Sequence, residues 1–253
     1  MSNSSLISYT KISPNKTVGR NHKIDTITIH CMAGNLSIET CGSLFAKTTT
    51  KASSNYGIGS DGRIALYVDE KDRSWATSSS VNDNRAVTIE VASESKSPYK
   101  VTDKAYKALI KLVADICKRN GIKKLVWSTN KANRVGHLNG CNMTVHRDYA
   151  NKACPGDYLY NLHGQIAKEV NALLNPKKET NTTTPTFKSY KVQITATSLN
   201  IRKGAGTNYG KNGSVKKGEI YTIVEEKKNG STTWGKLKSG AGWIALTGYT
   251  KKV

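Results

Sequence analysis

The 253-residue chain has no uninterrupted apolar run approaching ~18 residues, so no segment reads as a helix that spans a bilayer. The opening residues Met1-Ser2-Asn3-Ser4-Ser5 lack a basic stretch followed by an apolar one and read as carrying no secretory signal. A protein of this kind that works outside a cell would need another route of delivery. Cysteine is sparse and odd in number: the five at positions 31, 41, 117, 141 and 154 do not resemble a disulfide framework. Synthesis in a reducing compartment, with one cysteine serving as a metal ligand, fits better. Acidic residues are also scarce, 18 against 39 Lys and Arg, for a net charge of +21. That balance favours a polyanionic partner: nucleic acid, an anionic membrane surface or an anionic cell-wall polymer. The plainer alternative is that the lysines only solubilise the surface.

Hydrophobic residues make up 37% of the chain, enough for a packed core and against global disorder. The stretch from Asn175 to Thr186 is polar, holds Pro176 and Pro185 and shows no apolar periodicity, so it reads as an extended linker. It divides the chain into a mixed α/β part over 1–175, a linker over 176–186 and an all-β part over 187–253. Charge is uneven across this boundary. Residues 1–175 carry 24 basic and 14 acidic side chains, whereas residues 186–253 carry 13 and 3, the same net +10 in less than half the length.

Alternation in Ile24–Cys31 puts Ile27 and Ile29 on one face and Thr26, Thr28 and His30 on the other, the pattern of a half-buried strand. Tyr56–Val68 reads as two strands around an Asp61-Gly62 turn, and Val87–Ala92 as a further strand. Helices are expected over Ser37–Lys47, over Asp103–Asn120 with Leu109, Val113 and Ile116 on one face and Gly121 as its stop, and over Tyr158–Leu174 with Leu159, Leu162, Ile166, Val170 and Leu173 inward. Strands separated by helices predict a central mixed β-sheet flanked by helices. Beyond the linker, glycine-punctuated runs at Ser198–Arg202, Ile220–Val224, Thr233–Leu237 and Gly242–Ile244 predict a small all-β barrel.

The segment Val145-His146-Arg147-Asp148 to Lys152-Ala153-Cys154-Pro155-Gly156 carries the most chemistry. Imidazole nitrogen and thiolate sulfur suit a borderline-soft ion such as Zn²⁺. A catalytic zinc takes three protein ligands and leaves one open position, and His30, at a strand end, is the best candidate for the third. Spacing alone leaves each histidine equally readable as a satisfied core or surface residue.

As a set, these residues resemble the type-2 N-acetylmuramoyl-L-alanine amidases, whose fold is shared with peptidoglycan recognition proteins. The resemblance covers about Asp25 to Leu174. It rests on Thr26-Ile27-Thr28-Ile29-His30, on Ser54-Asn55-Tyr56-Gly57-Ile58 before a hairpin, on Arg73-Ser74-Trp75-Ala76 followed by Asn84–Glu90, and on His146–Gly156. It implies zinc held by His30, His146 and Cys154, Glu90 as general acid/base, and Lys152 and Tyr56 stabilising the oxyanion beside the metal. It also implies substrate contacts at Trp75 and Asn84. Each has a structural alternative: an edge-strand carboxylate for Glu90, a solvated lysine for Lys152, a half-buried tyrosine for Tyr56. Many family members have a histidine where this chain has Thr77, which puts the contacts near Trp75 in question. His137 follows a glycine, as a family ligand often does, but only His146 is followed by Arg-Asp and Lys-x-Cys-Pro-Gly. Cys141 has no role in this reading, and His22 and His163 are incidental, His163 by packing.

Residues 188–253 resemble a bacterial SH3 domain through Leu199–Gly204, Val215–Glu219, Trp234–Leu237 and Gly242–Ile244. That family binds peptidoglycan, so Trp234 and Trp243, with Tyr209, become candidate wall-binding aromatics, although at least one tryptophan is expected in the barrel core. The positive charge would suit teichoic-acid phosphates, and no nucleic-acid motif accompanies it. Together the resemblances imply hydrolysis of the amide between N-acetylmuramic acid and L-alanine. The expected role is that of a phage endolysin made in the host cytoplasm and released through a holin-type pore. A host autolysin, a wall-recycling amidase and a non-catalytic wall-binding protein are the alternatives.

Overall fold

The computed structural model describes residues 2–176 and 187–253. The proposed linker, apart from Pro176, lies outside the described residues. The chain divides into two compact units, Met1–Lys177 and Lys178–Val253.

The first unit contains strands β1 (Tyr9–Thr10), β2 (Lys16–Thr17), β3 (Thr26–Cys31), β4 (Tyr56–Ile58), β5 (Ile64–Leu66), β6 (Arg73–Ser74), β7 (Ala86–Val91) and β8 (Met143–Thr144). Its helices are α1 (Ile38–Phe45), α2 (Ser80–Arg85), α3 (Asp103–Arg119), α4 (Lys131–Val135) and α5 (Gly156–Leu174). Six strands form one mixed sheet in the order β1-β5-β4-β7-β3-β8. Only β4 and β5 pair antiparallel; the other neighbours run parallel. Helices α3 and α5 supply a broad apolar cover. Leu109, Val113 and Ile116 of α3 and Leu159, Ile166 and Val170 of α5 are completely buried, in one cluster with Ile27, Ile29, Val87 and Ile89 of the sheet. Burying each such side chain contributes about 1.5–3 kcal/mol relative to leaving it in water.

Local signals set the helix ends. The Ser37 and Thr102 side chains accept the backbone N–H groups of Thr40 and Ala105, which caps α1 and α3. Gly121 follows α3 with φ +71°, as a helix stop requires. Two expectations are corrected. In α5 the apolar stripe continues from Val170 to the half-buried Leu174, a step of four, and leaves Leu173 42% exposed. Strand β3 is buried on both faces rather than one. Its polar face is covered because each hydroxyl finds a partner: Thr28 meets Thr144 at 2.7 Å, and the Asn82 side chain of α2 binds both of them. Periodicity shows a polar face but not that hydrogen bonds will bury it.

The second unit holds strands β9 (Tyr190–Ile194), β10 (Ser198–Arg202), β11 (Lys211–Lys216), β12 (Ile220–Asn229), β13 (Thr232–Leu237), β14 (Trp243–Ala245) and β15 (Thr250–Lys252). All pairs are antiparallel, in the order β11-β10-β14-β13-β12-β9-β15. Their inward side chains make a separate core of Val192, Ile194, Val215, Ile223, Leu237 and Ile244 with both Trp234 and Trp243.

Candidate functional site

Parallel pairing of β3 with β7 sets His30 opposite Glu90. Both end their strands on the same face, and Glu90 is next to Gly57 of β4 on its other side. Gly57 is needed there: a Cβ would fall 2.4 Å from the Tyr67 ring, whose hydroxyl donates to the Ile38 carbonyl. Strand β7 is therefore central, so Glu90 is not an edge carboxylate. Its side chain is 18% exposed, and Oε1 lies 3.8 Å from His30 Nδ1.

His146 opens a short 3₁₀ turn, His146–Asp148, just after β8. Cys154 precedes α5. Two bonds tie these segments together: the Arg147 N–H donates to the Cys154 carbonyl at 3.2 Å, and its guanidinium to the Ala153 carbonyl at 2.6 Å. Gly156 lets the chain enter α5, with φ +77° and the Tyr99 side chain 2.6 Å from where a Cβ would lie. The turn is braced from behind by Arg134 of α4. Its guanidinium makes a bidentate pair with Asp148 at 2.6 and 2.7 Å, donates to the Ser128 carbonyl, and lies 4.8 Å from the Trp127 ring centre. The pair is 3% and 1% exposed.

These elements bring His30, His146 and Cys154 together, with one ligand atom of each within 4.8 Å of the others. Cys154 Sγ is 3.3 Å from His30 Nδ1, and the two imidazole rings are 5.2 Å apart. The donor set fits a zinc ion in chemistry as well as spacing. The buried Nε2 atoms of both histidines lack a hydrogen-bond partner among the described residues. Burial, reinforced by His146, pulls the His30 pKa down to about 3; burial and the Lys152 ammonium lower that of His146. Both rings are therefore neutral lone-pair donors at neutral pH, the form that binds metal. Burial, together with Cys31, holds the Glu90 carboxyl well above the usual carboxylate range. The Cys154 thiol is pushed up by its hydrogen bond with Cys31 and by burial.

His146 and Lys152 face a cleft of about 490 Å³, lined also by Trp75, Arg73, Lys51 and Asp83. Trp75 is held at its rim by an indole N–H bond to the Thr17 hydroxyl. Thr77 is completely buried; its hydroxyl and N–H, with the Ala76 N–H, all bond to the Asp83 carboxylate. Thr77 thus shapes the wall that carries Trp75 and does not itself face the cleft.

Three other expected site residues are corrected. Tyr56 is completely buried and occupies the opposite face of the sheet from Glu90, because it pairs with Ile89. Its hydroxyl donates to Glu70 at 2.6 Å and accepts from the Ser4 N–H, so it anchors the N-terminal segment. Asn84 spends its amide on the Ser80 carbonyl and the Asn21 N–H at the end of α2. Trp234 is a core side chain, 4% exposed; Trp243 is 8% exposed and edges a surface cleft. His137, with Nδ1 against the Cys141 carbonyl, is not among the clustered ligands, and His163 packs on Trp127 at 4.4 Å. Sequence reasoning missed Asp83, Lys51, Arg73 and Cys31. Lys51, Asp83 and Cys31 stand in no distinctive motif and converge only through the fold; Arg73 lies in the Arg73–Ala76 segment, but nothing there shows that it lines the cleft.

Central strands of a mixed sheet present His30 and Glu90, and the turn after β8 and the segment before α5 bring His146 and Cys154 to them beside a cleft, a donor set that could hold a metal ion. The N-acetylmuramoyl-L-alanine amidase family model matches residues 20–157, and a bacterial SH3 domain model matches residues 197–251. The first match spans more than half of the chain, which therefore belongs to the N-acetylmuramoyl-L-alanine amidase family and carries a C-terminal bacterial SH3 domain. Among solved structures, a selenomethionine derivative of AmpD is similar at 18% identity and TM-score 0.50, over 66% of this chain and 95% of that one. The endolysin N-acetylmuramoyl-L-alanine amidase LysCS from Clostridium intestinale URNW is similar at 16% identity and TM-score 0.45, over 63% and 92%. Drosophila peptidoglycan recognition protein SD is similar at 18% identity and TM-score 0.46, over 63% and 94%. No curated protein sequence matches the chain significantly. The AmpD likeness bears on the fold of the first unit.

Proposed function

We propose that the chain is a zinc-dependent amidase that hydrolyses the bond between the lactyl carbonyl of N-acetylmuramic acid and the L-alanine nitrogen in peptidoglycan. The reading rests above all on the convergence of His30, His146 and Cys154 within 4.8 Å, next to the Glu90 carboxyl. The chemistry zinc supplies when bound is Lewis-acid polarisation of the amide carbonyl and acidification of water. The rest is done by the chain. Glu90, with its proton affinity raised by burial, accepts a proton from the attacking water and delivers it to the departing L-alanine nitrogen. Lys152, at the cleft beside His146, offers an ammonium to the carbonyl oxygen as it gains charge. Trp75 and the Asp83-braced wall hold the muramyl-peptide in place.

In the same proposal the bacterial SH3 domain holds the enzyme on the wall of a Gram-positive host, and the whole acts as an endolysin released from the cytoplasm in which it is made. The pairing of an amidase unit with a strongly basic wall-binding unit supports this. A host autolysin would use the same chemistry. A non-catalytic wall-binding role is disfavoured by Cys154, which completes the donor set. The test is the bond broken in purified walls: new L-alanine N-termini without new reducing sugars are expected, and reducing ends without L-alanine would overturn the reading.

A further inference from the structure

The second unit contains a cleft of about 350 Å³ whose lining includes Lys203, Lys227, Lys228, Tyr209 and Trp243 and no carboxylate. Two aromatic rings form its apolar part. Tyr209 is 46% exposed and lies over the backbone of Gly204, where any Cβ would come within 2.5 Å of the ring. Trp243 is fixed by cross-strand pairing with Lys236, and the ammonium groups of Lys227 and Lys236 lie 5.6 and 5.8 Å from its ring centre.

The charges around this cleft are uncompensated. The three glutamates among the unit's described residues are engaged elsewhere: Glu219 with the Lys216 N–H and the Tyr221 hydroxyl, Glu225 with Lys236, and Glu226 with the Tyr190 hydroxyl. Lys203, Lys227 and Lys228 make no ion pair among the described residues. Three lysines lining one small cleft concentrate like charge there, offset only by the contact of the Lys227 ammonium with the Trp243 ring. An anion carrying several phosphates relieves that repulsion, and ammonium groups bind phosphate as point charges. The exposed tyrosine and tryptophan suit the C–H faces of a polyol or sugar between those phosphates.

We propose that this cleft is a binding site for a phosphodiester-linked polyol polymer, the chemistry of wall teichoic acids, separate from any site for the peptidoglycan peptide. The choice of polymer over nucleic acid rests on the wall-binding reading of the second unit, since both ligands offer phosphates and flat or apolar faces.

The full-length protein is titrated with soluble poly(glycerol phosphate). The triple variant Lys203→Gln, Lys227→Gln, Lys228→Gln should bind about tenfold more weakly or worse, with a shallower salt dependence. A control triple, Lys211→Gln, Lys217→Gln, Lys238→Gln, removes the same charge from exposed positions outside the cleft and should stay close to wild type. Failure of the wild type to bind the polymer overturns the site, as does equal weakening in both triples. Tighter binding of single-stranded DNA at equal phosphate concentration, lost in the first triple, overturns the ligand class. Sedimentation with walls stripped of phosphodiester polymers tests the underlying reading separately. Both wild type and cleft triple should still bind stripped walls in the presence of a chelator. Polymer binding without sedimentation on any wall would leave the site standing and defeat the wall-binding role.

Discussion

His30 and Glu90 face each other across the β3–β7 pair, with Nδ1 3.8 Å from Oε1. The candidate ligand histidine and the carboxyl proposed to carry the proton are thereby fixed by sheet register. The separation is too long for a hydrogen bond, and Glu90 Oε2 has no partner among the described residues, so the carboxyl is free to serve a water or substrate. Glu90→Gln keeps the shape and removes the proton carrier. Turnover should fall about 10²–10⁴-fold, while metal content and thermal midpoint stay at wild-type values. Steady-state kinetics with metal analysis checks this.

Lys152 acts on the site through its charge, lining the same cleft as His146. Lys152→Met should lower turnover about 10²-fold by removing one stabiliser of the developing oxyanion. In the metal-free protein it should also raise the His146 pKa toward its ordinary value, because the lysine ammonium is one cause of its depression. Imidazole titration followed by NMR reads the second effect independently of catalysis.

Arg134 and Asp148 form a buried pair that holds the His146 turn. Asp148→Asn leaves the guanidinium without its counter-charge in a site only 3% exposed, and should cost about 3–5 kcal/mol in denaturant unfolding. Metal affinity should weaken in the same variant, since the turn that carries His146 loses its brace.

His163 gives the acid limb of stability a specific origin. It is completely buried, its Nδ1 meets the Leu159 carbonyl, and burial pulls its pKa from 6.5 to about 4. Between those values the unfolded chain takes up a proton that the folded chain does not. Stability is therefore full above pH 6.5 and is lost as pH falls toward 4, by up to about 3 kcal/mol. Unfolding of His163→Gln across that range should show a visibly flatter pH dependence than wild type.

The sequence carried the three clustered donors because their chemistry is concentrated: His146 and Cys154 share one short segment, and His30 stands near the end of an alternating strand. It carried α3 for the same reason, since Leu109, Val113 and Ile116 repeat at helical spacing between Thr102 and Gly121. It did not carry Tyr56. The residue stands next to the segment facing the site, but a strand alternates, so Tyr56 and Glu90 lie on opposite faces once β4 pairs Tyr56 with Ile89. The Asp83 carboxylate was hidden because two of its partners are backbone N–H groups, which no residue pattern records, and the third, the Thr77 hydroxyl, meets it only through the fold. Helices α2 and α4 are only six and five residues long, too short for an apolar period to show.

The central claim is that His30, His146 and Cys154 hold a zinc ion on which amide hydrolysis depends. It is tested most directly by measuring bound zinc and the appearance of new L-alanine N-termini together, in wild type, in chelator-treated protein and in Cys154→Ser. One zinc per chain in the wild type is expected, with zinc and activity lost together on chelation, restored together on adding Zn²⁺, and both greatly reduced in Cys154→Ser. Formation of L-alanine N-termini that persists in fully zinc-stripped protein, or is undiminished in a zinc-free Cys154→Ser variant, would contradict it.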